Sequence, residues 1–176
     1  WEAMLFLAPS AGFDAKAATW DQQAERRHRA EGVARLISQK LGGKTGLNVL
    51  DFGSGTGLLG FALAPLARTL TFADTSGPML DQVMRKAVEA GMENVRTLDP
   101  ASQDLTATRP EGGYDLVVSL MALHHIDSWK ETLASLAGTM TKGGLMAICD
   151  LDTEDGSFHG SAEAGPQHGF DRDEVV

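Results

Sequence analysis

Residues Val49 to Gly60 read VLDFGSGTGLLG, an apolar run closed by Asp51 and followed by glycines at alternate positions, Gly53, Gly55 and Gly57. A β-prone run that ends in Gly-Ser-Gly-Thr-Gly and passes into LLGFALAPLA predicts a strand, a tight turn and a helix. With no Cβ in the way, the backbone of such a turn approaches a ligand closely. Open α/β sheets bind their ligands at the carboxyl ends of parallel strands, so this turn marks the site.

Gly55, Gly57 and Gly60 also satisfy G-x-G-x-x-G, the fingerprint of dinucleotide sites, and the two readings part at Asp51. A carboxylate beside a phosphate-binding turn repels a pyrophosphate and attracts a cationic amino group. S-adenosylmethionine carries an ammonium and a sulfonium and no phosphate, so the stretch favours that cofactor over NAD. On these residues the chain resembles the class I S-adenosylmethionine-dependent methyltransferases, whose first motif is hydrophobic-Asp-x-Gly-x-Gly-x-Gly. The resemblance implies a Rossmann-like doubly wound parallel sheet of order 3-2-1-4-5. It also implies that Gly53, Ser54, Gly55 and Gly57 embrace the methionine portion of the cofactor, with Asp51 near its amino end.

The alternation of elements continues downstream. Leu70-Thr71-Phe72-Ala73 predicts a second strand ending in Asp74, and Gly77-Pro78 opens a helix over Met79 to Glu89 with Gly91 as its stop. Asp74 falls near the distance at which a Rossmann-like unit places its ribose-binding acid. In the resemblance Asp74 takes that role, while Thr75 and Met79 line the adenosine. Val95 to Leu98 predicts a third strand, after which the family often places an acid against the adenine amino group. Adjacency favours Asp99, and counting back from Tyr114-Asp115 favours Asp104; either serves equally as a helix cap or turn former.

Tyr114 to Leu120 is a nearly continuous apolar run, as expected of a strand buried on both faces. It leads into Met121-Ala122-Leu123-His124-His125-Ile126. A His-His-Ile after this strand is common in small-molecule members of the family, where the segment passes beside the methionine end and the substrate entrance; Leu120 then lies against the cofactor. A histidine pair at a strand-to-helix turn with no ligand is the plainer reading. Asp127 or Ser128 caps a helix over Trp129 to Met140, Lys142-Gly143-Gly144 stops it, and Leu145 to Cys149 forms a fifth strand ending in Asp150. Such connections imply parallel neighbours joined by right-handed crossovers. The family adds two further strands, which are absent from this chain.

Ahead of the sheet, Ala15 to about Leu41 reads as helical, with Trp20, Val33, Leu36 and Ile37 among its apolar residues. The resemblance allows the early part of that region to fold over the cofactor; core packing is the expectation for Trp20. Gly42-Gly43-Lys44-Thr45-Gly46 lacks the spaced glycine and the strand of a phosphate loop and reads as the helix-to-strand turn. The chain thus divides into an N-terminal helical segment, 1–46, a cofactor-binding core, 47–150, and a substrate-side loop with the start of a truncated C-terminal part, 151–176.

Bulk properties set the class. The 176 residues suffice for one α/β core, and 43% hydrophobic with 22% charged is ordinary globular composition. One cysteine excludes an internal disulfide framework and fits a reducing, cytoplasmic setting. No apolar stretch approaches membrane-spanning length. The first residue is Trp, so neither end is taken as natural. With 15 basic against 24 acidic residues and a formal charge of −9, a nucleic-acid partner is disfavoured, and Arg26-Arg27-His28-Arg29 reads as a solvated helix face.

The tail from Asp150 to Arg172, DLDTEDGSFHGSAEAGPQHGFDR, is open to three readings. In the first, His124, His125 or His159 removes the proton of an oxygen acceptor near neutral pH. In the second, its histidines and carboxylates hold a divalent ion; in the third, it is a polar loop with no chemistry. No metal is expected overall. Methyl transfer needs alignment and exclusion of water more than a protein nucleophile. No Asn-Pro-Pro-Tyr-type motif follows the fourth strand, which directs the expectation to a small-molecule acceptor. A non-catalytic module that binds the cofactor and a nicotinamide oxidoreductase are the alternatives. A fifth strand left at the sheet's edge is a pairing liability that predicts a homodimer.

Overall fold

The computed structural model describes residues 11–155, 167–171 and 173. Its sheet is built from β1 (Leu47–Phe52), β2 (Ala67–Ala73), β3 (Val95–Leu98), β4 (Tyr114–Leu120) and β5 (Met140–Cys149). All neighbours pair in parallel, in the order β3-β2-β1-β4-β5. This is the Rossmann-like order expected from the sequence. The helices are α1 (Ala11–Asp14), α2 (Ala24–Leu41), α3 (Leu58–Ala62), α4 (Gly77–Glu89), α5 (Leu105–Thr108) and α6 (Trp129–Gly138).

Every residue of β1 is buried, as befits the central strand of a sheet covered on both faces. Because side chains alternate along a strand, Leu47 and Val49 join Leu70, Phe72, Leu116 and Val118 against α2, α3 and α4. Leu50 and Phe52 join Leu98, Tyr114 and Val117 on the other face, against Leu105 and Leu136. Asp51 falls on the first face and is thereby aimed at α3. Burial of each large apolar side chain contributes about 1.5–3 kcal/mol.

Several boundaries differ from those the sequence predicts. The leading helical region is broken: residues Ala17–Gln22 form a 3₁₀ turn, and Gln23, in extended conformation, separates it from α2. The helix after the glycine turn is a single turn and a half, because Pro65 diverts the chain into a 3₁₀ turn, Ala64–Leu66. Lys142-Gly143-Gly144 does not stop α6 but lies inside β5, next to a register shift opposite Tyr114 and Leu116. α6 ends instead at Thr139, whose hydroxyl donates to the Leu136 carbonyl at 2.7 Å. Gly42, left-handed at φ 60°, closes α2 as the helix-to-strand turn requires.

Candidate active site

At the carboxyl end of β1 the chain must turn sharply, and two amides fix how. Gly53 and Ser54 both donate to the Ala73 carbonyl, at 2.8 and 3.1 Å, so the turn is pinned to the end of β2. Asp51, 2% exposed, accepts the Gly60 amide of α3 at 2.9 Å. A Cβ on Gly60 would stand 2.4 Å from the Phe72 ring and 2.9 Å from the Asp51 carboxylate, so the third position of G-x-G-x-x-G is required by strand–helix packing. Burial pushes the Asp51 carboxyl up to about 7; the Gly60 amide opposes the shift, Asp74 adds to it and Lys86 opposes it.

Asp74 closes the other side of the turn. Its carboxylate accepts the Gly55 amide at 2.7 Å and the Ser76 amide at 2.9 Å. Burial raises its pKa, while those amides and that of Thr75 work against the rise. Gly55 has φ 52°, and a Cβ there would have only Trp20 Nε1, at 3.8 Å, and the Met79 sulfur, at 4.0 Å, as neighbours. At Gly55 the turn is therefore bare backbone facing open space. That space is a cavity of about 340 Å³, lined among others by Asp51, Gly53, Ser54, Gly55, Asp74, Thr75, Met79, Leu120, His124 and His125.

Three expected cofactor residues stand outside that wall. Gly57 precedes α3, where a Cβ would meet the Phe72 ring at 2.7 Å. Asp99 accepts the Ala101 amide and the Ser102 hydroxyl, each at 2.9 Å. Asp104 caps α5 by accepting the Thr106 amide at 2.7 Å. Both acids are thus used as turn formers, and it is Pro100, between them, that reaches the cavity.

The cavity's outer wall comes from the segment before α2. Asp14 accepts the Ser76 hydroxyl at 2.6 Å, and Asp21 accepts the Thr56 hydroxyl at 2.5 Å and the Lys86 ammonium at 2.8 Å. These bonds lay Phe13 and Trp20 over the glycine turn. Trp20 belongs to neither core cluster, contrary to the core packing expected of it; its ring packs edge-on against Phe13 and carries the Arg26 guanidinium 3.5 Å from its centroid. Arg26 and Arg29 line the cavity, whereas Arg27 and His28 are exposed. The solvated-face reading of this basic run holds for only its middle. On the helical wheel Arg26 falls beside buried Ala30 and Ile37 but Arg29 lies to the side of that stripe, so no periodic signal marks the pair in the sequence.

His124 and His125 occupy a 3₁₀ turn, Leu123–His125, after β4. His124 is fully buried, and its Nδ1 lies 2.5 Å from an Asp150 oxygen. The other Asp150 oxygen accepts the Ala122 and Leu123 amides at 3.1 and 2.8 Å. Burial raises the Asp150 pKa, but the His124 contact and the amides outweigh it and the carboxyl titrates below its ordinary value. His125 stacks on His124 with centroids 3.9 Å apart and meets the Phe13 ring edge-on at 5.1 Å. Met121, immediately before this turn, is the non-glycine residue with positive φ, 58°, among the described residues. Such backbone strain, on the order of 1–3 kcal/mol, persists where surrounding bonds impose it, here the Met121 amide on the Cys149 carbonyl at 2.8 Å. His159 lies outside the described residues. Among the described residues no group of three or more His, Cys, Asp or Glu is placed to hold a metal, and no helix is long and apolar enough to cross a membrane.

A glycine turn between two strand-end carboxylates, at the point where a parallel sheet reverses its order, defines a Rossmann-like cofactor-binding domain. The family model described as a methyltransferase domain matches residues 25–174, and the chain belongs to that family, the S-adenosylmethionine-dependent methyltransferases. An uncharacterised methyltransferase of Mycobacterium tuberculosis is 37% identical over 105 residues, 60% of this chain and 51% of the relative. A ubiquinone biosynthesis O-methyltransferase of Caulobacter is 31% identical over 131 residues, covering 74% of this chain and 49% of the relative. The chain spans about half the length of these curated relatives. Among solved structures, the DhpI–SAH complex matches with a TM-score of 0.61 at 26% identity, over 81% of this chain and 67% of that one. An S-adenosylmethionine-dependent methyltransferase from Aquifex aeolicus shares the fold, with a TM-score of 0.61 at 20% identity over 81% and 74%.

Proposed function

We propose that this chain binds S-adenosylmethionine in the cavity above the glycine turn and transfers its methyl group to a small molecule. One observation carries the reading: the bare backbone at Gly55 faces the cavity between the buried Asp51 and the half-buried Asp74, a cradle for a ligand that is cationic and bears a diol. Asp51 faces the ammonium, Asp74 the ribose hydroxyls, and Met79 with Thr75 the adenosine. Bound there, the cofactor supplies an electrophilic methyl carbon. The protein's part is to hold the acceptor in line and keep water away.

For an oxygen acceptor a proton must leave. We assign its removal to the His124–His125 pair, with Asp150 orienting the His124 ring through Nδ1. A module that binds the cofactor without turnover is the second reading of the same cavity.

Calorimetric titration with S-adenosylmethionine, S-adenosylhomocysteine and NAD tests the cofactor. Saturable binding of both adenosyl ligands and none of NAD is expected, with at least tenfold weaker binding in Asp74→Ala. Binding of NAD alone overturns the proposal. Labelled methyl transfer to a pool of small acceptors then separates enzyme from binding module.

A further inference from the structure

We infer that a second cavity, bordering the Asp150 side of the His124–Asp150 pair, is a binding site for an uncharged aromatic ring. The site is separate from the cofactor cavity and stands whatever fills that cavity.

This second cavity has a volume of about 270 Å³ and lies at the carboxyl ends of β4 and β5. Leu123, Trp129, Leu133, Ile148, Leu151 and Phe170 supply its apolar lining, and Asp150 a buried polar group. Its outer wall is a return of the chain onto the end of β5. Phe170 donates its amide to the Leu151 carbonyl at 2.9 Å, Glu154 donates to the His168 carbonyl at 2.9 Å, and Asp152 and Phe170 form a parallel bridge. Gly169 has φ 80°, and a Cβ there would run into the Asp152 carbonyl, so backbone lies directly on backbone. These contacts bring the Phe170 ring edge-on to Trp129, with centroids 5.0 Å apart.

The layer around the cavity is incomplete in a second respect. Among the described residues, the buried hydroxyls without a hydrogen-bond partner are those of Ser119, Ser128 and Thr132. Ser119 sits opposite Ile148 in the β4–β5 register, and Ser128 and Thr132 bracket Trp129 at the start of α6. Unpaired buried hydroxyls are uncommon in a folded core. The layer between α6 and the sheet therefore combines unfilled space with unmet hydrogen-bonding capacity, as a layer shaped around a further molecule does.

Charge decides the class of that molecule. Both Asp150 oxygens are engaged within the chain: one by His124 Nδ1 at 2.5 Å and the Leu151 amide at 2.8 Å, the other by the Ala122 and Leu123 amides. Asp150 thus needs no cation from a ligand, while its negative charge opposes an anion. One face of the Trp129 ring already carries the Lys130 ammonium, 5.0 Å from its centroid. What is left to a ligand is aliphatic side chains and two rings set edge to face, surroundings that favour an uncharged aromatic molecule of one or two rings.

The test is calorimetric titration of the chain, with and without saturating S-adenosylhomocysteine, using 2-naphthol, 2-naphthoate and 2-naphthylmethylammonium as probes. 2-Naphthol is expected to bind under both conditions, at least tenfold more tightly than either charged probe. Leu133→Trp fills the cavity and Phe170→Ala removes part of its wall. Each should weaken 2-naphthol at least tenfold while cooperative thermal unfolding is retained and S-adenosylhomocysteine affinity changes less than threefold; either variant suffices where the other does not fold. The inference is overturned if 2-naphthol does not bind, if a charged probe binds as tightly, if S-adenosylhomocysteine displaces 2-naphthol, or if its binding survives the substitutions. Failure of the unsubstituted chain to bind S-adenosylhomocysteine overturns the cofactor reading instead, and 2-naphthol binding that is lost in the folded variants still supports this site.

Discussion

At the level of single residues, the most consequential feature is a carboxyl group kept from ionising. Asp51 receives one amide, from Gly60, and is almost fully buried, while its neighbours Asp74 and Lys86 act on it in opposite directions. Its pKa of about 7, against 3.8 ordinarily, means that the folded chain holds a proton the unfolded chain has released. Stability from this group therefore falls as pH rises from about 4 to about 7 and is flat above; the full penalty is on the order of 4 kcal/mol. A cationic ligand reverses the preference. S-adenosylmethionine is expected to bind more tightly as pH rises from 6 to 8, with proton release that calorimetry in buffers of different ionisation enthalpy detects. Asp51→Asn keeps an acceptor for the Gly60 amide, so its melting temperature should equal or exceed that of the parent at pH 8, while cofactor affinity drops at least tenfold and loses its pH dependence. Asp51 and Asp74 were legible in the sequence because each ends an apolar strand. Arg26, Arg29 and Pro100 were not, since their place in the wall depends on how segments far apart in sequence pack.

Among the elements, the strands were the easier to read and the N-terminal segment the harder. Buried parallel strands announce themselves as apolar runs, and β4 matches its predicted span, Tyr114 to Leu120. β5 begins five residues earlier than its apolar run, since Met140 pairs with Tyr114 and the irregularity between that pair and Leu145 carries Lys142, Gly143 and Gly144, which local pattern assigns to a turn. The 3₁₀ turn and break at Gln23 have no periodic signal at all. They exist because Asp14 and Asp21 reach Ser76, Thr56 and Lys86, contacts spanning 35 to 65 positions. Asp21 joins the glycine turn and α4 to one strap, and Thr56 beneath it is 1% exposed. Asp21→Ala leaves that buried hydroxyl without its acceptor, at about 1–3 kcal/mol. The expected outcome is a melting point lower by several degrees in the ligand-free chain and a faster release of S-adenosylhomocysteine, measured by stopped-flow Trp fluorescence through Trp20. Release unchanged from the parent would show that the strap does not hold the cofactor in.

Over the whole molecule, the sheet's order reverses between β1 and β4, and the crevice opened there collects Gly53 to Gly55 after β1, Asp74 after β2, the histidine turn after β4 and Arg26 and Arg29 from α2, with Asp150 behind His124. That convergence is a property of the winding, which is why the order of elements in the sequence was enough to place the site while leaving its outer wall unspecified. The same winding leaves a consequence at the far side. Among the described residues β5 pairs with β4 alone, and residues 145–149 are half-buried along their length. An apolar strand with an unpaired row of amides and carbonyls is a template for another strand, and no charge interrupts it between Leu145 and Cys149. We therefore propose that two copies associate through this edge. Sedimentation velocity should show a weight-average mass that rises reversibly with concentration, and hydrogen exchange should show the amides of 145–149 slowing in parallel. A monomer at all concentrations would count against the edge as an interface. Dimerisation with unchanged exchange in β5 would move the interface elsewhere, so the two measurements together localise the contact as well as detect it.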